Sequence, residues 1–143
     1  MNTEQKTLCP ACQQAGKPVD LLTLKAQLSV PLTELRHPQY FFCATAGCSV
    51  VYFSADATQS FSETQLRERV YQKHRDEDEV FVCYCFRHTV GSIRAELAAT
   101  RHSTVVATVT AGIQAEQCAC EVRNPQGNCC LGNVRAAVKQ AQR

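Results

Sequence analysis

Cys9-Pro10-Ala11-Cys12 and Cys43-Ala44-Thr45-Ala46-Gly47-Cys48 decide how the first half of this chain is read. A Cys-x2-Cys turn aims two thiolates and nearby backbone N–H groups at one ion, and a Cys-x4-Cys turn returns a second pair to it. Four thiolates suit tetrahedral Zn²⁺ in a closed site that stabilises a fold and performs no chemistry. Iron in a rubredoxin-like site uses the same ligands, since sulfur geometry alone does not separate the two metals. Gly47 is placed to supply the left-handed backbone such a turn needs. His37, shortly before Cys43, is a spare candidate ligand or an ordinary surface histidine.

Further along stands a second block: Cys83-Tyr84-Cys85, then Cys118-Ala119-Cys120 and Cys129-Cys130. Cys-x-Cys is too tight for a common zinc knuckle and suits a cluster whose ligands fan out over two irons. Between the last pairs, Asn124-Pro125-Gln126-Gly127 has the residues of a β-turn at its first, second and fourth positions. That turn folds Cys120 back toward Cys129-Cys130, of which one faces inward and its neighbour points away. The different spacings imply two metal sites with different metals.

Ten cysteines in 143 residues also fit a disulfide framework. Against it, Met1 to Thr7 has no apolar run, so no signal peptide is expected. No stretch reaches the roughly 18 apolar residues of a membrane helix, so no membrane insertion is expected either. A cytoplasmic location keeps the thiols reduced and favours metal ligation. The formal charge of +2 comes without a basic stripe, which excludes a nucleic-acid footprint. The sequence shows no nucleophile–base motif and no glycine-rich phosphate loop, so no enzyme is expected.

The organisation follows from the charge run Lys73-His74-Arg75-Asp76-Glu77-Asp78-Glu79. It divides the chain into a zinc-binding domain over residues 1–72, an exposed linker over 73–79 and a cluster-binding domain over 80–143. Each half is small enough to need a metal staple. In the first half, Val19 to Leu28, Tyr40 to Cys43 and Val50 to Phe53 read as strands, and Ser62 caps a helix through Val70. In the second, Val80-Phe81-Val82 leads into Cys83, and Thr89 caps a helix to about Thr100 with Val90, Ile93 and Leu97 on one stripe. Ser103 or Thr104 caps a second helix bearing Val105, Val109 and Ile113, although its β-branched residues leave a strand open. Asn133 caps a last helix through Gln142. The fold class is α+β, a treble-clef or zinc-ribbon-like domain before a mostly helical one.

The stretch Cys83-Tyr84-Cys85-Phe86-Arg87-His88-Thr89, together with Cys120 through Leu131, resembles the cluster domain of CopZ-type copper chaperones. That domain is related to bacterioferritin-associated ferredoxin. The leading Cys-x2-Cys and Cys-x4-Cys, followed by Val50-Val51-Tyr52-Phe53, resembles the zinc domain of the same N-terminal region. The resemblance implies Zn²⁺ on Cys9, Cys12, Cys43 and Cys48, and a [2Fe–2S] cluster on Cys83, Cys85, Cys120 and Cys130. Cys118 is the competitor of Cys120, Cys129 the non-ligand of its pair, and His88 an unusual alternative ligand. The resemblance also implies a role beside Cu(I) delivery to a copper-exporting P-type ATPase, with the cluster reducing Cu(II) to Cu(I). The family's copper clamp, Met-x-Cys-x-x-Cys, is not matched here, because Leu8 precedes the only Cys-x2-Cys. A separate clamp protein as partner, or Cu(I) on the spare thiols Cys118 and Cys129, fills that role. A ferredoxin-like electron carrier and a metal or redox sensor are the other expectations.

Overall fold

The computed structural model describes residues 7–142. Four short strands, β1 (Lys17–Val19), β2 (Tyr40–Phe42), β3 (Val50–Ser54) and β4 (Ser60–Ser62), form an antiparallel meander in the order β1-β2-β3-β4. β3 pairs with Phe41 and Phe42 on one side and with Phe61 on the other, and all five of its residues are buried. Continuous burial explains why it reads as an unbroken apolar run rather than an alternating one. Stacked Phe41 and Phe53, 5.8 Å apart, lie under the first cysteine group. Gly16 lets the chain cross Phe53, since a Cβ there would meet the ring at 2.5 Å.

The strand expected over residues 19–28 is instead the end of β1 followed by helix α1 (Leu21–Gln27). Leu21, Leu24 and Leu28 recur at helical spacing, and Leu24 and Leu28 are fully buried. The helix expected from Ser62 to Val70 is also replaced. Ser62 does cap, in a reciprocal box with Gln65, but only a single 3-10 turn (Glu63–Gln65) follows. Leu66 then bridges to Leu28, and the Arg67 amide donates to the Gln27 carbonyl, so pairing with the end of α1 outcompetes helix continuation.

The second half begins with a hairpin of β5 (Phe81–Cys83) and β6 (His88–Thr89), joined by the turn 84–87. Helix α2 (Val90–Thr100) is capped as expected. Thr89 Oγ1 accepts from the Ser92 amide at 3.0 Å, and the Thr89 amide donates to Ser92 Oγ at 3.1 Å. Helix α3 (Val105–Gln114) follows, its Thr104 amide and hydroxyl both donating to the Glu96 carboxylate of α2. The helical reading of the β-branched segment therefore holds. Four-residue α4 (Cys120–Arg123) precedes α5 (Leu131–Ala141). Asn133 is not the cap of α5. Cys130 occupies that position, its carbonyl accepting the Val134 amide at 2.9 Å, while Asn133 Nδ2 donates to Gln126. Val82, Cys83, Ile93, Val109, Cys120, Cys130 and Val134 share one core.

Residues 73–79 run along the surface but are pinned at several points. His74 has Nε2 2.6 Å from Glu63 and Nδ1 2.6 Å from Glu77, and Asp78 lies 2.7 Å from Arg94. The two halves also meet directly. The last carbonyls of any helix lack an intrahelical partner, and those of α4 find theirs on α1. Thr23 Oγ1 donates to Glu121 O at 2.6 Å, and Gln27 Nε2 to Val122 O and Arg123 O at 3.0 and 3.1 Å. Tyr52 of β3 donates its hydroxyl to Pro125 O. Gly127 is demanded twice here: its φ is +83°, and a Cβ would sit 2.9 Å from Thr23 Oγ1. The short segment between Cys120 and Cys130 thus rests on the first half.

Candidate metal centres

Two backbone turns build the first centre. The Cys9 amide donates to Gln14 O and the Gln13 amide to Cys9 O, closing a knuckle in which Gln13 takes φ 63°. The second turn spans the β2–β3 connection, where the Cys43 amide extends the strand pairing to Val51 O and the Cys48 amide donates to Thr45 O. Gly47 is not left-handed; that conformation falls to Gln13 in the other turn. Cys9, Cys12, Cys43 and Cys48 bring their sulfurs within 4.8 Å of one another. Cys9 and Cys48 are 3.8 Å apart, Cys12 and Cys43 3.6 Å. A tetrahedral ion with Zn–S bonds of about 2.3 Å spaces its sulfurs about 3.8 Å apart, whereas a disulfide needs about 2.05 Å. The donor set fits a four-thiolate ion. His37 lies outside it, its Nδ1 occupied by the backbone of Gln39.

Burial pushes the Cys9 thiol up to about 12 and raises Cys48 as well. Burial also opposes ionisation of Cys12, but hydrogen bonds from Thr45, the Gln14 backbone and neighbouring thiols bring it down to about 6. A metal entering this site must displace protons from the more buried sulfurs. An ammonium also reaches the site: Lys73 Nζ lies 2.7 Å from Thr45 O and 3.7 Å from Cys43 Sγ.

The second set converges differently. Cys83 ends β5, Cys85 sits in the hairpin turn, Cys120 opens α4 and Cys130 caps α5. Cys85 and Cys120 are 3.7 Å apart, and Cys130 lies in the same buried core as Cys120 and Cys83. Among the described residues only the first group has three or more sulfurs mutually within 4.8 Å. In the second set the close approach is that of Cys85 and Cys120. Backbone amides already point at two sulfurs of the set, Ala119 N at 3.1 Å from Cys85 Sγ and Phe86 N at 3.4 Å from Cys83 Sγ. The neighbouring Cys130 thiol draws the Cys120 and Cys83 thiols below their ordinary value, and is itself raised by the same two partners. Burial pushes Cys85 up to about 12. The Asn124 turn closes as expected, Gly127 N donating to Asn124 O at 2.8 Å.

Cys118 is half-buried and Cys129 exposed. His88 stands opposite Cys83 in the hairpin, its Nε2 buried without a hydrogen-bond partner.

The zf_CopZ family model, a zinc-binding domain, matches residues 6–67. The copper chaperone CopZ of Archaeoglobus fulgidus is 32% identical over 122 residues, covering 85% of this chain and 57% of the relative. The chain thus spans little more than half the length of that curated relative. The X-ray structure of the A. fulgidus CopZ N-terminal domain superposes with a TM-score of 0.74 at 30% identity, over 90% of this chain and 95% of that one. The chain belongs to the CopZ N-terminal domain family. Both halves lie within that match, since 90% coverage of the chain extends well beyond residue 67.

Residues that cysteine spacing does not point to also shape these CopZ-type sites. Lys73 was concealed in a run of surface charge. Tyr84, 1% exposed between Cys83 and Cys85, accepts the Tyr71 amide and donates to Arg69 O. Tyr52 and Gln27 act across a separation of more than 70 residues, for which a single sequence carries no signal. Among the described residues no helix is long and apolar enough to cross a membrane.

Proposed function

We propose that this chain is an iron–sulfur and zinc protein of copper handling. Zn²⁺ on Cys9, Cys12, Cys43 and Cys48 staples the first half, and a [2Fe–2S] cluster sits on Cys83, Cys85, Cys120 and Cys130 in a ferredoxin-like second half. The observation that carries this reading is the approach of Cys85 and Cys120, with backbone amides already aimed at Cys85 and Cys83, in a relative of a copper chaperone. A four-thiolate [2Fe–2S] centre exchanges one electron, which in copper handling converts Cu(II) to Cu(I), the form soft thiolates hold. The chain's own residues bury Cys83, Cys120 and Cys130 and leave Cys85 the least covered, so the hairpin turn is the side open to an electron partner. The role is non-catalytic, because the first site is closed by four ligands. Ten free thiols belong in the reducing cytoplasm. Partners are a copper-exporting P-type ATPase or a separate Met-x-Cys-x-x-Cys protein that holds Cu(I).

A second reading, a plain one-electron carrier, is favoured by the sulfurs themselves. The two proposed centres take eight of the ten thiols, leaving half-buried Cys118 and exposed Cys129 for copper. The test is metal and acid-labile sulfide analysis of oxygen-free protein, expected at about two iron, two sulfide and one zinc per chain. Cys130→Ser bleaches the visible spectrum with zinc retained, and Cys48→Ser does the reverse. Colourless protein after anaerobic reconstitution refutes the cluster. Anaerobic Cu(I) titration without tight binding favours the plain carrier.

A further inference from the structure

We propose that Tyr71–Lys73 couples the two metal sites, with Lys73 positioning the Cys43 side of the first and Tyr71 the Cys-x-Cys turn of the second. This rests on the metal assignment above. The three residues form one 3-10 turn, closed by Lys73 N to Val70 O and His74 N to Tyr71 O, both at 3.0 Å. Each residue touches a different part of the metal-binding apparatus. The Lys73 ammonium bridges Thr45 O and Cys43 Sγ, inside the loop that ends at Cys48. Four thiolates on a divalent ion leave a net charge of about −2, so this cation stabilises the loaded site and orients a ligand sulfur.

Gln72, buried, donates to Gln126, which lies in the turn between Cys120 and Cys130. Tyr71, also buried, packs in the core that contains Cys83, and its amide donates to Tyr84 Oη at 3.0 Å. Tyr84 is the residue between Cys83 and Cys85. A single short turn therefore links the first site's loop to both segments that hold the second set of sulfurs. Overlapping backbone hydrogen bonds between Val70 and Lys73 and between Tyr71 and His74 close the turn, so that its residues shift together. Metal in the first site fixes Cys43 and Thr45, these hold Lys73, and the same turn then holds Tyr84 and Gln126. Linkage makes the effect reciprocal: whatever zinc contributes to retention of the cluster, the cluster contributes to retention of zinc.

The experiment uses the full chain loaded anaerobically with both metals. Zinc is withdrawn with a chelator while the visible absorption of the cluster is followed. Cluster loss is expected to accelerate at least about fivefold once zinc is gone. Lys73→Met, which keeps the apolar stem and removes the ammonium, is expected to weaken zinc binding about tenfold and Lys73→Arg to restore most of it. With Co²⁺ in the first site, Lys73→Met shifts the sulfur-to-cobalt charge-transfer band, which a purely structural role would leave in place. Tyr84→Phe reduces the dependence of cluster loss on zinc, and Tyr84→Phe combined with Gln72→Leu removes it. A wild-type rate of cluster loss that ignores zinc occupancy overturns the coupling. Wild-type zinc affinity and an unshifted cobalt band in Lys73→Met overturn the positioning role. Wild-type protein that takes up zinc but no iron overturns the metal assignment of the second site and the coupling with it.

Discussion

Replacing Tyr52 with phenylalanine removes one oxygen and tests how much the first half holds the second. Tyr52 is fully buried, and its hydroxyl donates to the carbonyl of buried Pro125. Burial keeps the phenol well above its ordinary pKa, so the group remains a donor at every working pH. Proline has no N–H, which makes that carbonyl its only backbone polar group. Leaving a buried acceptor unpaired costs about 1–3 kcal/mol, and the phenylalanine ring recovers part of it because it is cheaper to bury. A net loss of about 1–2 kcal/mol corresponds to about 5–30-fold in the population of the opened turn. Because that turn joins Cys120 to Cys130, the loss falls on the second centre. Anaerobic thermal unfolding followed by circular dichroism, with the rate of cluster bleaching recorded in parallel, measures both effects. The variant is expected to lose its visible band about 5–30-fold faster and to melt about 3–6 °C lower. Wild-type kinetics and midpoint in Tyr52→Phe would refute the idea that this contact holds the turn.

Gly112→Ala gains helix propensity of about 1 kcal/mol but places a Cβ 2.3 Å from the Phe86 ring, next to Cys85. Overpacking at about 1–3 kcal/mol outweighs the gain, so a net loss near 1 kcal/mol is expected, and a stabilised variant in thermal melts would show that Phe86 simply swings away. Asp56 is held at about 2, below its ordinary 3.8, by the Ser54 and Thr58 hydroxyls and the Thr58 amide. Its folded pKa is depressed, so its contribution is complete above the unfolded value and fades as pH falls from about 4 through 2. A carboxyl NMR titration with a midpoint near the ordinary value would remove that contribution.

The grouping of Cys9, Cys12, Cys43 and Cys48 is legible in cysteine spacing because a turn of fixed length aims a pair of thiols the same way before any tertiary structure forms. The same locality made Thr89 readable as a cap and Asn124 to Gly127 as a turn. Reading failed where distant chain intervened. Leu66 and Val70 stand four apart as on a helix, yet Leu66 pairs with Leu28, and the Val70 amide is held by the Glu63 carboxylate. The α1 segment was mistaken for a strand because its leucines are apolar in either reading, and only their three- and four-residue recurrence separates the two. Gly47 is able to supply a left-handed conformation, but the positive φ falls to Gln13, whose side chain bonds back to Pro10 O. Lys73 was indistinguishable by composition from six neighbours that face water or pair on the surface.

The rest that α1 and β3 provide for the 120–127 segment has a consequence for biosynthesis. Translation proceeds from the N-terminus, so Thr23, Gln27 and Tyr52 leave the ribosome long before Cys120 does. The platform is complete when the last reactive sulfurs emerge, and they need only dock upon it. The interval in which those nucleophiles wander, open to oxidation or to stray ions, is thereby kept short.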